Sequence, residues 1–195
     1  MNKIYLGLGL PVLLAGCSLG LSSKPPAFLL NLSATDVPTA SEGATIMQSD
    51  AISIAIPLVP QAIANNRVPV ADGDTAIAYV KDAVWVEPPA KLFQRLLSET
   101  VRAKTARIVL DPRQFTGAPG QQLSGQLLQF GIDRGSSRAV VVYDASLSGA
   151  PDKMVRTRRF EARVPVGKIE AGPAGAALNR AANMVAGEVA DWIGR

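Results

Sequence analysis

The 195-residue chain contains no histidine and one cysteine, Cys17, and only 5% of its residues are aromatic. Without histidine, the usual neutral-pH acid–base group and the commonest metal ligand are gone. A single cysteine rules out an intramolecular disulfide. The scarcity of aromatics argues against a base-stacking nucleic-acid surface. No Gly-x-Ser-x-Gly elbow occurs. Gly172-Pro173-Ala174-Gly175 lacks the Lys-Ser/Thr ending of a phosphate loop and reads as a helix start. Asp72-Gly73-Asp74 reads as a turn, since the calcium-loop pattern is absent. The expectation is therefore a non-enzymatic protein with neither metal nor cofactor.

The N-terminus carries the sharpest signal. Met1-Asn2-Lys3 is followed by an apolar stretch, Ile4 to Leu14, too short for a stable bilayer span. Leu14-Ala15-Gly16-Cys17 then resembles the bacterial lipobox, with small residues before the cut and a thiol to take the diacylglyceryl group. The alternatives are a plain secretory peptide or an N-terminal membrane helix. On the lipobox reading, residues 1–16 are a lipoprotein signal peptide and Cys17 is the lipidation site. The covalent lipid is the anchor, and several acyl chains make it durable. Ser18, rather than aspartate, follows the cysteine, which by similarity to enterobacterial sorting favours the periplasmic side of the outer membrane over the inner membrane. The formal charge is +4, and losing Lys3 with the leader lowers it by one. So small an excess implies only mild affinity for anionic surfaces.

Residues 17–49 read as a lipidated tether and lead-in segment. Pro25-Pro26 favours extended chain, and Phe28-Leu29-Leu30 is an apolar patch suited to docking as an edge strand. Residues 50–195 read as one domain. Alternation at Ile52, Ile54 and Ile56 predicts a strand ended by Pro57 and Pro60. Val68-Pro69-Val70 predicts an edge strand because proline cannot donate to a ladder. Thr75–Val80 and Arg107–Leu110 are further strand candidates. Phe93, Leu96, Leu97, Thr100 and Val101 share one stripe of a helix over Ala90–Lys104. Gln121–Asp133, Arg138–Leu147 and Met154–Val166, joined by short turns, predict an antiparallel meander. A last, alanine-faced helix is predicted over Pro173–Ile193. The expected fold is α+β: a largely antiparallel or mixed sheet with two principal helices packed on it. Arg156, Arg158, Arg159 and Arg163 form a local basic patch spread over both faces of the third meander strand. It is read either as a solvated strand end or as a contact for an acidic partner or lipid headgroups.

From Ala51 to Gly194 the chain resembles the ABC-type transport auxiliary lipoprotein family, which includes the paraquat-inducible lipoprotein C. The likeness runs through the Ile52–Pro57 strand, Asn66-Arg67-Val68, Tyr79, Ala83-Val84-Trp85, the Leu92–Val101 helix, Gln129-Phe130, Arg159-Phe160 and Asp191-Trp192-Ile193. Asn66 stands where the family usually has an acidic residue, and the usual tyrosine-arginine-leucine opening is missing. The resemblance implies a non-catalytic periplasmic component of a lipid transport system. Its implied partner is an MCE-domain periplasmic protein linked to a permease and ATPase, with phospholipid the default cargo. It also makes Arg67, Tyr79 and Trp85 candidates for a partner surface, although ordinary packing is the competing reading for each aromatic. The alternative roles are a lipid-binding carrier, with its cleft bordered by Phe28-Leu29-Leu30 and the last helix, or an outer-membrane assembly lipoprotein.

Overall fold

The computed structural model describes residues 26–37, 51–105, 107–111, 120–149 and 154–194. In chain order these form β1 (Ile52–Ile54), β2 (Arg67–Asp72), β3 (Ala76–Val84), α1 (Pro89–Thr105), β4 (Val109–Leu110), β5 (Gln121–Asp133), β6 (Arg138–Gly149), β7 (Val155–Pro165) and α2 (Ala171–Ile193). The architecture is α+β, a mixed seven-stranded sheet with both helices on one face.

The meander forms as the turn signals predict. β5 runs antiparallel to β6 from Gln121↔Gly149 to Asp133↔Arg138, and β6 runs antiparallel to β7 along almost all of its length. Alternation sends Leu123, Leu127, Val141, Tyr143, Phe160 and Ala162 into the core. A bulge between Leu127 and Gln129 resets that alternation, so that Phe130 and Ile132 also point inward.

The other edge of β5 is shared. β1 pairs with its first residues in parallel, Ile52↔Gln121 to Ile54↔Leu123, and Leu58 adds a single bridge to Gln126. β2 pairs with its last residues, Val70↔Ile132 and Ala71↔Asp133, also in parallel. Between them β5 has no ladder partner on that side from Leu127 to Gly131 among the described residues. β1 is also covered on both faces, with Ile52, Ser53 and Ile54 all buried; its pairing with β5 ends at Ile54↔Leu123, and Ile56 beyond it is exposed.

β2 is not the edge strand expected from Pro69. It lies between β3 and β5. Proline is tolerated there because the β2–β5 ladder begins only at Val70, one residue beyond the missing donor. β3 is longer than predicted. Its pairing passes from Pro69↔Tyr79 to Arg67↔Val84, so two steps along β2 face five along β3. Asp82 takes a left-handed φ of 56° within that bulge. The extra residues carry the chain on to Trp85.

α2 shows why alanine recurs in the last helix. Ala174, Ala177, Ala181, Ala182, Ala186 and Ala190 are fully buried, and short side chains let the helix axis approach both the sheet and α1. Gly175 continues this face, where a β-carbon would lie 2.6 Å from Leu30 Cδ2. Leu30 is bracketed by two backbone bonds, its N–H to Val84 C=O (2.7 Å) and Val86 N–H to its own C=O (2.9 Å). The Phe28–Leu30 patch thus docks by one bridge, Leu30↔Trp85, while Phe28 and Leu29 stay exposed.

Candidate functional site

The bulge in β3 and the turn before β2 bring two of the predicted partner residues together. Asn65 Oδ1 accepts the Arg67 N–H at 2.8 Å, a local turn that sets the direction of β2. Asn65 Nδ2 in turn donates to the Tyr79 hydroxyl at 3.3 Å. The Arg67 guanidinium lies 4.0 Å from the centroid of the Tyr79 ring. A cation over an aromatic face is held by the ring quadrupole, worth about 0.5–1 kcal/mol at an exposed site. Arg67 is exposed and Tyr79 half-buried, so the pair presents a flat, positively charged plate at the β3 side of the sheet. It can stack on or bind an anionic or aromatic group of a partner.

Trp85 does not join this plate. Its side chain is fully buried, with its ring centroid 5.5 Å from that of Phe130. Phe130 contacts Phe93, and Phe93 meets Tyr143 edge-on at 5.3 Å, so Trp85 ends a row of aromatic rings through the core. Its indole Nε1 has no hydrogen-bond partner among the described residues. Packing has therefore withdrawn this residue from any surface. Only its backbone serves the neighbourhood, donating to Asn66 C=O at 2.7 Å and accepting from Asn66 Nδ2 at 3.1 Å. Cys17 lies outside the described residues.

The structure adds a clamp that the sequence reading missed. Asn179 Oδ1 accepts the Ser33 N–H (2.9 Å) and Asn183 Oδ1 the Thr35 N–H (2.7 Å), while Asn183 Nδ2 donates to Ser33 C=O (2.9 Å). Four residues apart, the two asparagines share one helix face. Two amides spaced this way in an alanine-rich helix were the available signal. The clamp and Leu30 fix the lead-in chain along α2.

A groove of about 570 Å³ opens where β5 lacks a partner. Pro60, Ile63, Pro69, Leu128 and Val140 supply apolar walls, and Asp74, Asp133 and Arg163 supply charge. No residue of α1 or α2 lines it, so it lies on the face opposite the helices. The cleft expected between Phe28-Leu29-Leu30 and the last helix is filled instead, because Leu30 packs directly on Gly175.

Two carboxyls sit below their ordinary range. Asp133 is held down chiefly by the Ser136 hydroxyl, and Asp144 by the Arg159 guanidinium, which it binds through both oxygens at 2.6 and 2.7 Å. Burial pushes the Tyr143 phenol up, and its hydroxyl donates to Ser124 C=O at 3.0 Å. These are structural ties of strand and turn. Among the described residues, no group of three or more histidine, cysteine, aspartate or glutamate side chains is placed to hold a metal ion. Nor is any helix among them long and apolar enough to cross a membrane.

Comparison with known proteins gives a family-model match over most of the chain. The family model described as "ABC-type transport auxiliary lipoprotein component" covers residues 30–190, beginning at the docked Leu30. No curated protein matches the sequence. Among solved structures, protein XCC0632 from Xanthomonas campestris, assigned to the family model DUF330, superposes with a TM-score of 0.66 at 19% identity. That match covers 85% of this chain and 93% of the other. A structure titled only as an uncharacterized protein also gives 0.66, at 13% identity, covering 85% of this chain and 99% of its own. At such identities the two structures show a shared fold.

Proposed function

The chain belongs to the ABC-type transport auxiliary lipoprotein component family, and from that premise we propose that it is the periplasmic auxiliary subunit of an MCE-type lipid transport system. It holds or caps the periplasmic end of the transport assembly, and ATP-driven work is done by other subunits. The observation that carries this reading is the family match across the whole described domain. On this reading Cys17 bears the lipid, which anchors the protein on the periplasmic side of the outer membrane. The partner is the MCE-domain protein, and the Arg67–Tyr79 plate is a contact surface for it, since it is exposed, cationic and held rigid by Asn65. Trp85 supports that surface from beneath through Asn66.

The test is photocrosslinking in cells, with the reactive side chain placed in turn at Arg67 and Tyr79. Crosslinks to an MCE-domain protein are the expected result. Crosslinks only to an outer-membrane barrel would replace this reading with a role in envelope assembly.

The groove favours a second reading, a lipid-binding carrier. Its volume falls within the range of about 300–1,000 Å³ usual for ligand pockets, and its apolar walls suit an acyl chain. Native mass spectrometry of the Cys17→Ser protein, prepared without detergent, separates the two. One bound phospholipid per chain supports the carrier, and a bare protein supports the adaptor.

A further inference from the structure

β7 is a terminal strand of the sheet. It pairs with β6 and with no other strand among the described residues. Its first five residues, Val155 to Arg159, are all exposed, and Met154 and Val155 expose 63% and 64% of their surface. A row of unpaired N–H and C=O groups on such an edge is a template for another extended chain.

The arginines of this strand divide by face. Arg159 and Arg163 lie on the side away from the helices and are neutralised there. Arg159 holds Asp144, and Arg163 contacts Glu161 and Asp133. Arg156 and Arg158 lie on the helix side, in alternation with Phe160 and Ala162. Neither forms an ion pair with a described carboxylate. Arg156 sits 5.1 Å from the ring centroid of Trp192, and Arg158 sits 5.0 Å from that of Phe160. The nearby Asp191 is engaged by Lys104 at 2.9 Å. Two guanidiniums thus lie two residues apart on one face, outside any ion pair with a described carboxylate and each about 5 Å from a ring centroid.

We infer that the Val155–Arg159 edge of β7 is a docking site for an extended acidic segment of a partner protein, which adds to the sheet as a further strand. Backbone pairing supplies the ladder. Carboxylates at alternate positions of the incoming strand meet Arg156 and Arg158, and an apolar residue covers Val155. Edge-to-edge pairing with a second copy of this chain is disfavoured, because it would set arginine against arginine across the strands. The site is distinct from the Arg67–Tyr79 plate and does not depend on the partner being an MCE-domain protein.

The test uses the full lipidated chain in neutral detergent micelles. The probe is a short fluorescein-labelled peptide of alternating glutamate and valine. Its controls are the same peptide with proline at every valine position and vesicles of phosphatidylglycerol. Anisotropy should report binding of the glutamate–valine peptide, and hydrogen exchange should slow at the backbone amides of Val155 to Arg159. The double variant Arg156→Glu/Arg158→Glu should weaken binding by at least about tenfold, whereas Arg156→Lys/Arg158→Lys should stay within a few-fold of the parent. Circular dichroism checks that both variants fold. Equal binding of the proline peptide would overturn strand addition. Protection confined to other strands, or no loss in the glutamate variant, would overturn the site. Vesicle binding that the Arg156→Glu/Arg158→Glu variant weakens, with no binding of the glutamate–valine peptide, would overturn the protein partner in favour of a lipid surface.

Discussion

Replacing Trp85 with alanine tests most directly how the candidate surface and the core are divided. The side chain is fully buried against Phe130, within a row of rings that continues to Phe93 and Tyr143. Truncating a buried aromatic costs about 3–5 kcal/mol, the sum of lost transfer energy and residual cavity. For a chain of this length each kcal/mol lowers the midpoint by about 2–4 °C, so Trp85→Ala should melt roughly 6–20 °C below the parent. Trp85→Phe separates two contributions. It keeps a ring against Phe130 and removes the unpaired indole N–H, whose burial costs about 1–3 kcal/mol. Its midpoint should therefore fall by well under half of the alanine shift. Thermal unfolding followed by far-UV circular dichroism measures both, and a Phe130→Leu cycle should return about 0.5–1.5 kcal/mol of coupling for the ring pair. An alanine variant that melts within about 2 °C of the parent, while losing its crosslinks to a partner, would refute the packing argument and return Trp85 to the surface.

Other outcomes follow from single contacts. Gly175→Ala places a β-carbon 2.6 Å from Leu30 Cδ2, so Leu30 should be displaced, and exchange at the Val86 amide, which donates to Leu30 C=O, should accelerate. Asp144 has a folded-state pKa below its ordinary 3.8, so its contribution is complete above that value and disappears as pH falls through the lowered one. Asp144→Asn should therefore flatten the acid limb of stability below about pH 4, by no more than about 1 kcal/mol because both partners are well exposed. Cys17→Ser should abolish metabolic labelling by a clickable fatty acid; equal labelling of both proteins would remove the anchor.

How much of this was legible in the sequence depended on the range of the interaction. The stripe from Phe93 to Val101 and the turns at Arg134–Ser137 are local, and α1 and the β5–β6–β7 meander formed where predicted. The parallel pairing of β1 and β2 with β5 leaves no local mark, because no tight turn joins parallel neighbours. Pro69 pointed to an edge strand since proline rules assume a continuous ladder, and here the ladder starts one residue later. Of the candidate contact residues, Arg67 and Tyr79 came together across β2 and β3. Trp85 was carried inward by a bulge whose only sequence trace is the unremarkable Lys81-Asp82. The asparagine clamp joins residues 146 or more positions apart, so the sequence shows the two amides on one helix face but not the chain they hold.

The shared edge of β5 also constrains the order in which the chain can assemble. β2 can pair at once with β3, its neighbour in sequence, but β1 finds its place on a strand that begins only at Gln121, so it must close a long loop before that pairing is rewarded. β5, β6 and β7 are sequential antiparallel neighbours and have no such debt. A chain delivered from its N-terminus therefore presents β1 well before β5 is there to receive it. The apolar residues Ile52 and Ile54 must wait uncovered until the second half of the domain arrives. Folding rate in this protein should accordingly respond more to substitutions in the β5–β6 hairpin than to equally destabilising ones in β1.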